Sequence, residues 1–353
     1  MSETRSIPLF TRHPELGSGF DRFPLCELPT PVARLEKLER EAGTGPIWVK
    51  RDDLSASPYG GNKARKLEWL LARARSRGAT RVLTFGGLGT NHGLATALYA
   101  KRLDLRCELV LAHQPVSDAV RKRLLVFHAL GARIFYGGSV AGSVRIALGR
   151  ILRHPRTYVV PVGGSSAHGT LGFVNAGLEL AEQVARGELP TPARLYIACG
   201  SGGSAAGLAL GLALAGLATR VVAVLVTDLL PPSSSSLRRR VGCSLALLRR
   251  RGAKVTARDA VVALELETGF VGGGYGMPSE AAERARVQAA ALEELVLDPT
   301  YSAKALAALL EREQGRQEPL LFWNTYAPYD CPMELPDWKS LPRPFHRFFR
   351  EAP

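Results

Sequence analysis

Short apolar runs alternate with helical patterns along most of this 353-residue chain, and that alternation restricts its fold more than any other feature. Arg81-Val82-Leu83-Thr84-Phe85 reads as a buried strand, followed by a glycine loop and a helix from about Asn91 to Lys101. Arg106 to Leu111 reads as a second strand, with a helix from about Asp118 to Leu130 behind it. Arg133 to Tyr136, Thr157 to Val160, Leu195 to Ala198 and Arg220 to Val226 read as further strands, and the glycine loop after Val160 leads into a helix from His168 to Ala185. Strands that alternate with helices predict parallel sheets wrapped by helices, the α/β class. With 46% hydrophobic residues the chain can bury a large core, and its length predicts two domains. Ala205 to Leu217 is too short and too interrupted by glycine to span a bilayer, so it reads as a buried helix. Pro231-Pro232-Ser233-Ser234-Ser235-Ser236 reads as a loop. No apolar signal stretch follows Met1-Ser2-Glu3-Thr4-Arg5, and the five scattered cysteines have no paired ligand spacing. Together these predict a cytoplasmic protein with free thiols, no metal and no membrane segment.

Within this frame Gly60-Gly61-Asn62-Lys63 puts a lysine at the start of a helical pattern, with Leu67, Leu70, Leu71 and Ala74 at helical spacing. Asn62 can cap that helix, and Lys63 then lies in its first turn. The positive end of a helix dipole disfavours an ammonium and lowers its pKa, which suits a Schiff-base nucleophile. A surface lysine beside a loop has the same spacing.

Gly200-Ser201-Gly202-Gly203-Ser204 follows a strand and opens an apolar helix. Free backbone N–H groups and the helix dipole make a phosphate cradle there. A P-loop would end Gly-Lys-Ser/Thr, which this loop does not. A dinucleotide fingerprint would need glycine at Ala205; Asp228, at the end of the next strand, keeps that reading open, as does a plain tight turn. Gly86-Gly87-Leu88-Gly89-Thr90-Asn91-His92 has the same strand-loop-helix setting. Asn91 can cap its helix, and His92 is either a packed residue or a base. Gly163-Gly164-Ser165-Ser166 is either a ligand contact or a simple helix start.

The net charge of +14 raises the possibility of nucleic-acid binding. The densest clusters, Arg238-Arg239-Arg240 and Arg249-Arg250-Arg251, carry no interleaved aromatics for base stacking. The reading is therefore no nucleic-acid partner, with a basic surface suited to anionic ligands.

Lys50-Arg51-Asp52-Asp53-Leu54 with Gly60 to Glu68 resembles the cofactor-lysine region of pyridoxal phosphate (PLP) enzymes of fold type II, the tryptophan-synthase-β type. More narrowly, the chain resembles the D-cysteine desulfhydrase and 1-aminocyclopropane-1-carboxylate (ACC) deaminase family. Leu28-Pro29-Thr30-Pro31, the Gly86 and Gly200 loops, Val162 to Ser166, Gly274-Tyr275-Gly276-Met277-Pro278 and Leu297-Asp298-Pro299-Thr300-Tyr301 follow in the family's order. The resemblance implies a two-domain α/β fold of twisted, mostly parallel sheets flanked by helices, with PLP in the interdomain cleft. The larger, discontinuous domain would be residues 1–60 and 165–353, the smaller 61–164. Lys63 would hold PLP; Asn62, Asn91, Gly200, Ser201, Gly202, Gly203, Ser204, Ser302 and Thr325 would contact it. Tyr301, Tyr275 and Thr90 would face a small amino-acid substrate, and the protein would be a homodimer.

Three positions depart from the family pattern. Ser302 stands where ACC deaminases carry a glutamate toward the pyridine nitrogen, which leaves no carboxylate beside Tyr301. Asn324-Thr325-Tyr326-Ala327 replaces His-Thr-Gly-Gly, and Gly89-Thr90 replaces Gln-Ser. These departures favour a desulfhydrase-like β-elimination, with ACC deamination or a non-catalytic ligand-binding role as alternatives.

Overall fold

The computed structural model describes residues 7–350 apart from 18, 257–259 and 262. Its contacts divide the chain into two units, one of residues 1–69 and 165–328, the other of 70–164 and 329–353. The strands in chain order are β1 Val32–Arg34, β2 Ile47–Arg51, β3 Arg81–Gly87, β4 Arg106–Ala112, β5 Arg133–Gly138, β6 Thr157–Val159, β7 Arg194–Cys199, β8 Arg220–Leu225, β9 Leu264–Glu267 and β10 Leu320–Asn324.

The first unit holds a sheet in the order β1-β2-β10-β7-β8-β9. Only the β1–β2 pair is antiparallel; β10 pairs in parallel with β2 and β7, as do β8 with β7 and β9 with β8. Both faces are covered, which is why its central strands read as unbroken apolar runs. Leu195, Ile197, Val221, Ala223, Leu321 and Trp323 pack with Phe173, Leu180, Leu208 and Leu212 of the helices Ala167–Ala185 and Gly203–Ala215. The alternate residues, Tyr196, Ala198, Val222, Val224 and Phe322, pack on helices Glu280–Glu293 and Ser302–Arg312.

The second unit holds a wholly parallel sheet in the order β5-β4-β3-β6. Its helices include Asn91–Arg102, Asp118–Ala129 and Val140–Arg153. All six strands expected from the apolar runs are present, and the α/β class holds. No helix among the described residues is long and apolar enough to cross a membrane.

Three expectations change. Strands β1, β2, β9 and β10 have no counterpart in the sequence reading: β1 and β9 are short and charged and β2 ends in Lys50-Arg51, whereas β10 is a short apolar run that the pattern did not single out. The serine-rich stretch is a helix start, not a loop: Ser233 caps Ser234–Arg250 by accepting the N–H of Ser236. That is serine's usual place in a helix. Finally, residues 61–69 fall in the first unit and 329–353 in the second, unlike the division at 60 and 164 read from the sequence. The C-terminal segment is held there by Phe345 and Phe348, edge-on to Tyr136 at 6.0 and 5.4 Å, and by Arg121 donating to the Phe348 carbonyl at 2.7 Å.

Candidate active site

Lys63 is presented by a turn with little freedom. The Gly61 N–H donates to the Asp52 carbonyl at 2.7 Å, the Asn62 N–H to the Thr325 carbonyl at 3.2 Å, and Ser55 Oγ to the Gly61 carbonyl at 3.1 Å. Gly61 has φ +85°, and a Cβ there would stand 2.7 Å from the Thr325 oxygen, so only glycine passes. The helix Asn62–Ser76 begins at Asn62 itself. Asn62 therefore does not cap it from outside; its Nδ2 instead donates to Ser204 Oγ at 3.4 Å, tying the turn to the glycine loop. Burial lowers the Lys63 amine to about 8, with Asp298 pulling the other way. Burial is thus the first cause of the depression that the sequence reading assigned to the helix dipole.

Behind this turn lies a buried ionic cluster. Arg65 is clamped by Asp52 at 2.7 Å and Glu179 at 2.9 Å, Lys50 donates to Glu179 at 2.7 Å, and Thr30 Oγ1 donates to Asp52 at 3.0 Å. One turn on, Glu68 takes Arg22 at 2.8 Å and the N–H groups of Leu25 and Cys26, each at 3.0 Å.

The glycine loop joins β7 to the helix Gly203–Ala215, whose first four N–H groups need partners from outside. Ser165 Oγ takes the Gly203 N–H at 3.1 Å, lies 2.7 Å from Ser201 Oγ and receives Lys66 Nζ at 3.3 Å. Arg240 donates Nη1 to the Ser165 carbonyl at 3.1 Å, while its buried Nε has no hydrogen-bond partner among the described residues. Burial, then the charges of Lys63 and Arg240, push the Lys66 amine well below its ordinary value. A Cβ on Gly203 would strike Ser165 Oγ and stand 3.1 Å from Lys66 Nζ, so the loop stays open only with glycine. Sequence reasoning missed both cations. Lys66 lies one helical turn after Lys63, a spacing that could have flagged it; Arg240 was counted with a surface cluster from which it turns inward. Asp228, the dinucleotide candidate, accepts the Tyr275 N–H at 2.8 Å.

Tyr301 donates its hydroxyl to that of Tyr275 at 2.8 Å, the rings edge-on at 6.0 Å. Lys63 Nζ lies 6.0 Å from the centre of the Tyr301 ring. Burial, then Tyr275, keeps the Tyr301 phenol well above its usual pKa, so it holds its proton. A carboxylate does stand beside Tyr301, against the sequence reading: buried Asp298 accepts the N–H of Tyr301 at 2.9 Å and of Ser302 at 3.0 Å. Ser302 Oγ donates to Asp298 at 2.7 Å and accepts the Asp298 N–H at 2.9 Å, so its proton is committed within this helix start. The first unit thus brings together Lys63, Asn62, the residues Gly200 to Ser204, Tyr275, Tyr301, Ser302 and Thr325.

Thr90 and Asn91 belong to the second unit. Thr90 is the cap of its helix, accepting the Gly93 N–H at 3.2 Å, so Asn91 does not cap. His92 is buried with Nε2 3.0 Å from Thr84 Oγ1, the packed reading. Ser166 caps Ala167–Ala185, while Ser165 serves the glycine loop.

A family model described as pyridoxal-phosphate dependent enzyme matches residues 24–323. The D-cysteine desulfhydrase of Salmonella choleraesuis (strain SC-B67) is 32% identical over 330 residues, covering 86% of this chain and 94% of that protein. The D-cysteine desulfhydrase of Salmonella paratyphi A has the same identity and coverage. A solved structure of an ACC deaminase homologue matches with TM-score 0.75 and 29% identity, over 90% of this chain and 94% of that one. A solved threonine deaminase from T.th., at 20% identity and TM-score 0.61, covers 92% of this chain and 99% of its own and shares the fold. The residues present fit a phosphate-bearing aldehyde. Lys63 has a lowered pKa, a loop of N–H groups with no room for a Cβ at Gly202 or Gly203 lies nearby in the same unit, and the orphaned Arg240 Nε flanks that loop.

Proposed function

The chain belongs to the pyridoxal-phosphate-dependent enzymes, of the D-cysteine desulfhydrase and ACC deaminase type, and from that premise we propose that it cleaves the bond between Cβ and its leaving group in a small amino acid, D-cysteine first. The observation that carries this is the phenol pair beside the lysine: Tyr301 donating to Tyr275 at 2.8 Å, with Lys63 Nζ 6.0 Å from the Tyr301 ring.

Bound PLP supplies an electron sink for the pair left at Cα. Lys63 holds the cofactor at rest and takes the Cα proton in turnover; an amine near neutrality can do both. The Gly200 to Ser204 loop, with Lys66 and Arg240, binds the phosphate. The Tyr301–Tyr275 pair is protonated at rest and would be the acid that meets a departing thiolate. The released enamine then takes up water to give a keto acid and ammonia. Thr90 and Asn91 are read as substrate and cofactor contacts on the family resemblance alone.

Reaction type rests on Ser302 and Thr325. Neither carries a charge to hold a proton on the pyridine ring, and the Ser302 proton is already given to Asp298. The ring is then a modest sink, adequate for a good leaving group on Cβ and weak for opening a cyclopropane. Keto-acid release from D-cysteine, L-cysteine, β-chloro-D-alanine and ACC tests this. The expected order puts D-cysteine and β-chloro-D-alanine well above ACC in kcat/KM. A preference for ACC refutes the electronic argument. A protein with no visible absorbance after PLP is added, and no turnover, is the non-catalytic relative instead.

A further inference from the structure

Tyr275 sits on a segment with almost no means of holding itself in place. Residues 271–278 carry glycine at 272, 273, 274 and 276, and Gly272, Gly274 and Gly276 have φ of +66°, +121° and +79°. Half of the segment is exposed and only Gly274 is buried, so little apolar core fixes it. A loop of this kind needs polar tethers, or its aromatic side chain samples many positions.

Lys304 supplies two of them. It stands on the helix Ser302–Arg312, which begins immediately after Tyr301, and its side chain is fully buried. Its Nζ donates to the Val271 carbonyl at 2.6 Å and to the Gly274 carbonyl at 3.3 Å, bracketing the turn just before Tyr275. Asp228 adds a third tether by accepting the Tyr275 N–H at 2.8 Å. Burying an ammonium is costly when its hydrogen-bond acceptors among the described residues are neutral carbonyls and the charges of Asp228 and Asp298 only partly offset the burial, and an apolar side chain would fill the same space more cheaply. One rigid helix therefore carries both Tyr301 at its cap and the cation that grips the Tyr275 loop.

We propose that Lys304 is the positioning residue of the phenol pair: it fixes the Tyr275 loop to the helix that carries Tyr301, and so sets the hydrogen bond between the two hydroxyls. The inference rests on the reading of that pair as the acid of the reaction, but it makes a claim about loop position that can be tested apart from activity.

The test compares wild type with Lys304→Met, Lys304→Arg and Tyr275→Phe as PLP-loaded proteins. Lys304→Met keeps the buried stem and removes the donors. Amide exchange across 271–277 should rise at least about tenfold in Lys304→Met while exchange in the β7 and β8 core is unchanged. Lys304→Arg should restore most of the protection, because a guanidinium can still reach two carbonyls. In turnover, Lys304→Met should lower kcat by about tenfold, and its effect should largely vanish when built on Tyr275→Phe, because both changes then act through one hydroxyl. Unchanged exchange in Lys304→Met overturns the proposal, as does a loss of activity that multiplies with that of Tyr275→Phe. Should Lys304→Met fail to fold, Lys304→Gln, uncharged and one atom shorter so that it cannot bracket both carbonyls, carries the same exchange readout. Wild-type turnover by Tyr275→Phe would refute the acid reading of the pair, and the exchange result would still decide whether Lys304 holds the loop.

Discussion

Arg65 and Lys63 lie two residues apart at the start of one helix, and they are treated in opposite ways. Arg65 is buried between two carboxylates: burial alone would lower its pKa, but Asp52 and Glu179 outweigh it and raise the value further. Lys63 has no hydrogen bond or ion pair among the described residues, and burial brings its amine down to about 8. Lys66, one turn on, is pushed down by burial and by two neighbouring cations. A buried cation with its charge matched is architecture; one set among other cations, or left without a partner, is waiting for something the protein does not itself supply. The helix thus carries a fixed side that pins its first turn and a reactive side that meets the ligand.

The sharpest way to break this contrast is Lys63→Ala. Turnover should fall by at least about a thousandfold while the thermal midpoint barely moves, since an amine without partners contributes little to the fold. Borohydride trapping of bound PLP followed by peptide mapping should place the label on Lys63. A label on Lys50, Lys66 or Lys304 would reverse the assignment.

The matched side predicts the opposite pattern. Glu179→Ala leaves Arg65 and Lys50 buried without their shared carboxylate and should cost about 3–5 kcal/mol in urea denaturation. Burial would raise the Glu179 carboxyl, but Arg65 and Lys50 outweigh it and hold it well below the ordinary carboxylate range. A carboxyl depressed in the folded state stabilises above its unfolded pKa and loses that contribution as the pH falls. The wild type should therefore lose stability below about pH 4, and Glu179→Gln, though weaker at neutral pH, should show a flatter acid limb. Equal acid sensitivity in the two would mean the cluster is not what acid breaks.

The two sides were not equally legible in the sequence. The α/β class could be read because β3, β4, β7 and β8 are apolar runs covered on both faces, and Lys63 because its glycines and its helix start lie together in the chain. The cluster beneath could not be read, because Thr30, Lys50, Asp52, Arg65 and Glu179 are up to 149 residues apart and meet only when β2 and two helices pack. Arg240 escaped for the same reason: a run of three arginines does not say which one turns inward. Ser302 could be placed beside Tyr301, but only the turn geometry reveals that its proton goes to Asp298.

The smallest effect concerns how strongly Asp298 tempers the reactive side. Among the described residues, Asp298 is the charge that raises the Lys63 pKa against burial. An amine near 8 is about one-tenth neutral at pH 7, whereas an ordinary lysine is neutral to less than about one part in a thousand. Only the neutral amine attacks an aldehyde, so the rate of PLP capture by the apoprotein should climb with pH and level off just above 8. Asp298→Asn keeps an acceptor for the Tyr301 and Ser302 N–H groups but removes the negative charge, so the Lys63 amine should fall further. Capture at pH 7 should then quicken by about two- to fivefold, and the midpoint should move to lower pH. A midpoint near that of free lysine would mean that Lys63 is solvated like a surface residue, and the contrast with Arg65 would disappear. A midpoint that falls in wild type as expected but does not shift in Asp298→Asn would leave burial as the sole cause and make Asp298 only the anchor of the Tyr301 helix.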